Sequence, residues 1–109
     1  MEIRFCKNLY SDGWSKRKIA SAKKKIRRNS PRLALFLITL PMGAEGILEI
    51  YWYPELLQPA YRKLQQELIV VGLAHSRQTA FELVKQIVED VGVQDSSIPV
   101  KEFFKEREK

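Results

Sequence analysis

The sequence is short of almost every residue type on which familiar active sites are built. Its 109 residues contain one cysteine and one histidine. With Cys6 alone, no internal disulfide can form, which fits a reducing compartment. There is no C-x-x-C, no H-x-x-x-H and no cluster of carboxylates at ligand spacing, so no metal site is expected. No G-x-G-x-x-G follows a strand pattern and no G-x-x-x-x-G-K-[ST] occurs, so the standard nucleotide fingerprints are missing and no cofactor is expected. The longest apolar run, residues 33–40, is far below the ~20 residues of a membrane span. The first ten residues, MEIRFCKNLY, lack the basic and apolar regions of a secretory signal. The expectation is a cytoplasmic protein without a membrane segment. Low-complexity tracts, internal repeats and long linkers are also lacking, so 1–109 reads as one domain.

What remains is ordinary in amount and uneven in placement. Apolar residues make up 45% and charged residues 29%, a globular balance. A chain of this length buries roughly two-thirds of its unfolded surface and needs no staple. The net charge is +6. Between Trp14 and Arg32 stand nine lysines and arginines and no acidic residue, whereas the rest of the chain is slightly acidic. The basicity therefore belongs to one segment, and a local cluster says more about partners than a global charge does.

Periodicity places the elements. Residues 3–9 alternate enough for a short edge strand. Ser11, Asp12 and Gly13 supply turn and cap chemistry for a helix over 14–29. Ile19, Ala22 and Ile26 form its narrow apolar stripe, and cations cover most of the remaining circumference. Pro31 ends it. Residues 33–40 and 68–74 are continuously apolar, the pattern of central strands covered on both faces. Residues 46–53 fit a helix or a strand. A short helix is the expectation there, because a crossover must return the chain before the next strand. Residues 54–66 read as a connection, with one helical turn near Tyr61. A helix begins at Ser76, with Ala80, Phe81, Val84, Ile87, Val88 and Val91 on its apolar side and Gly92 as its C-terminal cap. A last short strand is expected over 98–104. This order predicts a small α/β domain with a three- to four-stranded, mostly parallel sheet and packed helices. The alternative is a ferredoxin-like α+β arrangement, distinguished by the relative direction of strands 33–40 and 68–74.

LITLP after a lysine-rich helix, LLQP at 56–59 and VVGLA leading into AFELVKQIVEDV together resemble a group of short α/β proteins of anaerobic Gram-positive bacteria. The resemblance covers most of the chain. It implies one bacterial cytoplasmic α/β domain and transfers no activity and no catalytic residue.

Three places carry candidate chemistry, each beside a plainer account. The basic helix, through Lys16, Arg17, Lys23, Lys24, Lys25, Arg27 and Arg28, suits nucleic-acid phosphates; the plainer account is a solvated face, since no aromatic residues interleave with its cations. The helix start at His75, Ser76 and Arg77, with Thr39 and Glu45 from the neighbouring loop, forms a small anion pocket if strands 33–40 and 68–74 are parallel. Ordinary capping by Ser76 explains that start equally. Tyr51, Trp52 and Tyr53, three adjacent aromatics before Pro54, suit a protein partner or a dimer contact, although two of them are expected in the core. Cys6 and His75 fit a packed thiol better than a catalytic pair. The leading expectation is a non-enzymatic binding or interaction module. Nucleic-acid binding and small-anion binding or catalysis at residues 74–77 are its alternatives.

Overall fold

The two continuously apolar runs become the two central strands of a four-stranded sheet. The computed structural model describes residues 2–41, 48–63 and 67–95. Its elements are β1 (Glu2–Ser11), α1 (Lys16–Arg27), β2 (Phe36–Thr39), β3 (Glu49–Trp52), α2 (Tyr53–Leu56), α3 (Pro59–Arg62), β4 (Glu67–Ala74) and α4 (Arg77–Asp95). The strand order is β1-β4-β2-β3. Leu35 and Leu37 face one layer, with Ala22 and Ile26 of α1, Tyr53 and Leu56. Ile38 and Leu40 face the other, with Ala80, Leu83, Ile87 and Val91 of α4. Both faces are covered, which is why these strands contain no alternating polar residues.

The sheet is mixed, which corrects the expectation of a mostly parallel one. β1 runs parallel to β4, but β2 runs antiparallel to both β4 and β3. The two apolar runs are therefore antiparallel neighbours, with Phe36 opposite Ala74 and Thr39 opposite Val70. The ferredoxin-like alternative fares no better, because β4 is inserted between β1 and β2 and pairs parallel with the edge strand. The short helix expected over 46–53 is also corrected. Residues Glu49–Trp52 form β3, each opposite a residue of β2, and helix begins only at Tyr53. The crossover premise failed because β2 and β3 form an antiparallel pair; the crossover comes one element later, through α2 and α3. The loop expected to carry Glu45 and the strand expected at 98–104 lie outside the described residues.

Both pairings of β4 carry an irregularity at Val71. Against β2 the extra residue belongs to β4, which passes from Val70 to Gly72 while β2 moves only from Thr39 to Ile38. Against β1 the extra residues belong to β1, which runs from Phe5 to Tyr10 over the same step. Alternation accordingly breaks at Gly72. Leu68 and Val70 share a layer with Leu73, while Val71 shares one with Ala74. A Cβ on Gly72 would sit 3.1 Å from Ile38 Cδ1, so a larger residue here would require the Ile38 side chain to move by a few tenths of an ångström.

The basic helix starts later than expected. Ser15, not Ser11 or Asp12, is its cap, accepting from the Lys18 amide at 3.1 Å. At its other end Asn29 adopts φ 55°, and the Asn29 and Ser30 amides donate to the Ile26 and Lys25 carbonyls. That pair of bonds is the Schellman ending. In α4 the buried line is Ala80, Leu83, Ile87 and Val91, about one position round from the expected stripe, which leaves Phe81 and Val88 exposed. Gly92 does not end α4, which continues to Asp95.

Candidate nucleic-acid interface

Parallel pairing puts the carboxyl ends of β1 and β4 at one edge of the sheet. From that edge α1 turns onto the layer containing Ala22 and Ile26, and α4 turns onto the opposite layer. Adjacent parallel strands whose helices leave to opposite faces open a crevice beyond their carboxyl ends, the usual ligand position of α/β sheets. The β1–α1 turn reaches it through Gly13, whose φ of 68° suits glycine. The β4–α4 turn reaches it through His75 and Ser76. Ser76 Oγ accepts from the Thr79 amide at 3.1 Å and its hydroxyl donates to Thr79 Oγ1 at 2.9 Å, so it caps α4.

The two turns meet through aromatic rings. The Trp14 and His75 ring centroids lie 4.4 Å apart, tilted by 32°. Lys18 Nζ stands 4.4 Å from the Trp14 ring centroid, a cation–π contact. Asp12, Gly13, Trp14, Ser15, Lys18, His75 and Thr79 enclose a hollow of about 170 Å³. Trp14, Lys18 and Thr79 were not among the residues singled out from sequence. The available signal was the repetition of a strand, a tight turn and a serine-capped helix at both 2–16 and 67–77.

Alongside the crevice runs the cationic surface of α1. Lys16, Arg17, Lys18, Lys24, Lys25, Arg27 and Arg28 are exposed, and Lys23 is half-buried. Lys23 Nζ and the Arg27 guanidinium lie 5.6 and 5.4 Å from the Phe5 ring of β1. Aromatic rings thus do accompany the basic helix, but they come from β1, the preceding turn and the β4–α4 turn. Among the described residues the ion pair at salt-bridge distance joins Arg4 to Glu67, at 3.1 Å, and no carboxylate pairs with a cation of α1. The first turn of α1 contains no acidic residue. Lys16, Arg17 and Lys18 instead crowd the end where the helix dipole is positive and cations are disfavoured.

The remaining singled-out residues do not gather into the anticipated pocket. Because β2 and β4 are antiparallel, Thr39 lies toward the opposite edge from His75. It is fully buried, and its Oγ1 has no hydrogen-bond partner among the described residues. Glu45 lies outside the described residues. Arg77 is exposed, and its guanidinium sits 5.4 Å from the Phe36 ring, on the layer away from Trp14. Tyr53 is fully buried, with its hydroxyl 3.4 Å from the Ile26 carbonyl; burial raises its pKa, against the opposing influence of Arg62. Tyr51 and Trp52 are half-buried on β3, the edge strand opposite β1. Trp52 packs on Phe36 at 4.8 Å, and Tyr51 meets the Tyr61 ring edge-on and donates to Glu49. Burial, then the Glu49 carboxylate, push the Tyr51 hydroxyl well above its usual range. Cys6 is fully buried in the α4 layer, and its thiol lies 3.5 Å from the Asn8 carbonyl.

Among the described residues no group of three or more His, Cys, Asp or Glu is placed to hold a metal ion, and no helix is long and apolar enough to cross a membrane. Comparisons with protein-family models, curated proteins and solved structures found no match.

Proposed function

We propose that this chain is a non-enzymatic binding module for nucleic acid, with the outer face of α1 as its phosphate-contacting surface. The observation that carries this reading is the placement of Lys16, Arg17 and Lys18 at the positive end of a helix whose cations have no carboxylate partner among the described residues. A sequence selected for stability alone would put Asp or Glu there. An arrangement that costs stability locally points to use of the charge, and a phosphate backbone supplies the missing counter-charge. Arg17, Lys24 and Arg28, spaced seven and four residues apart, form one line opposite the buried Ala22–Ile26 line.

Fluorescence anisotropy of a labelled oligonucleotide at low salt tests the reading. Binding is expected for the native chain. A large loss is expected when Arg17, Lys24 and Arg28 are all replaced by Gln, with the thermal unfolding midpoint retained. Undiminished binding by that variant would remove α1 as the surface.

A second reading rests on the other edge. Trp52 and Phe36 form an aromatic pair on β3 and its neighbour β2, and among the described residues β3 has one side open to pairing. Self-association there predicts a concentration-dependent dimer in sedimentation that Trp52→Ala abolishes without unfolding. A small phosphate or carboxylate at His75–Arg77 is the competing occupant of the crevice edge, detected by a thermal shift with that anion alone.

A further inference from the structure

We infer that the crevice between the two turns holds an unpaired base, so that the nucleic acid on α1 is single-stranded; this rests on the proposed phosphate-binding role of α1. The argument starts from the Trp14–His75 pair. Trp14 is half-buried against the α1 layer and so fixed in place, whereas His75 is exposed at the tip of β4. Two rings from separate turns, 4.4 Å apart beside a hollow of about 170 Å³, form an aromatic wall with open space next to it. A duplex keeps its bases stacked on one another. A single strand offers free π-faces, and proteins that hold such strands combine a cationic track with aromatic platforms.

Lys18 links the two parts. Its ammonium lies over the Trp14 ring. It sits on the same helix as Arg17, Lys24 and Arg28, one residue beyond the first of them. A base entering the hollow takes the ring face that Lys18 covers, and the flexible lysine stem lets the ammonium swing outward to the adjoining phosphate. One side chain would thus exchange a cation–π contact for a charge-assisted hydrogen bond. Asp12, at the hollow's rim, is the carboxylate there, and it can accept from the exocyclic amine of a base.

The test separates base recognition from phosphate recognition. Trp52→Phe leaves Trp14 as the only tryptophan, so its emission reports on the crevice. Three ligands of equal length are titrated: a single-stranded oligonucleotide, the same backbone with abasic sites, and a duplex. The single strand is expected to quench Trp14 and to bind about tenfold tighter than the abasic strand, the scale of one stacked base. His75→Ala removes an exposed ring and leaves the core closed, and it is expected to erase most of that difference; Trp14→Ala should do the same if it folds. Equal affinity for single and abasic strands, with no quenching, overturns the base site and leaves the phosphate surface standing. A tighter duplex also overturns it. No binding of any ligand at low salt overturns both readings together.

Discussion

Raising salt should weaken nucleic-acid binding by an amount that α1 itself sets. Its 12 residues span about 18 Å at 1.5 Å per residue. Phosphates of a stacked single strand repeat about every 3.4 Å along its axis, so at most roughly five lie alongside α1. Its outer and flanking cations are numerous enough to meet five. A single strand releases counterions with a slope near −0.7 per phosphate, giving a log–log slope of about −3.5. A fourfold increase in salt should then cost roughly a hundredfold in affinity. Replacing Arg17, Lys24 and Arg28 with Gln removes three contacts and should shallow the slope to about −1.4, so the same salt step costs roughly sevenfold. Anisotropy titrations across a salt series, on the native chain and the triple variant, measure both slopes. A slope near zero, or the same slope in both proteins, would mean that these cations are a solvated face and take no part in binding.

Two further outcomes follow from particular contacts. Asn29 holds a left-handed φ of 55° at the end of α1, so Asn29→Ala should cost about 1 kcal/mol in chemical denaturation, whereas Asn29→Gly should cost nothing. Equal effects of the two would show that the conformation is not what matters there. Burial raises the Tyr53 hydroxyl pKa, so above about pH 10 the unfolded chain loses a proton that the folded chain retains. Stability should be unaffected by this group below that pH and should fall as pH rises through it. Tyr53→Phe should flatten that alkaline decline, and identical alkaline profiles for the two proteins would refute the assignment.

The elements were largely legible because each obeys a local rule. Cations around the Ile19, Ala22, Ile26 stripe mark α1, and continuous apolar runs mark β2 and β4 as strands covered on both faces. The errors lie where a local pattern admits two partners. Residues 46–53 fit helix and strand alike, and β2 decided for strand by pairing with Glu49–Trp52. The α4 stripe admits several rotations, and packing on Ile38, Leu40 and Val71 selected the line through Leu83 and left Phe81 exposed. Gly92 suits a cap, but a glycine within a helix costs only about 1 kcal/mol, so its presence did not require the helix to end.

By itself, then, the sequence determined which two apolar runs become strands covered on both faces, where the basic helix runs, and that its charge is confined to one segment. All of these depend on spacing along the chain. Strand direction does not, because an apolar run reads the same in a parallel or an antiparallel pairing. The tertiary structure decided that β4 runs parallel to β1 and antiparallel to β2. That choice separated Thr39 from His75 and joined His75 to Trp14 and Lys18, residues some sixty positions earlier. The candidate site is a product of that pairing: its rings and cations meet only because two strands end at the same edge and their helices leave it on opposite sides.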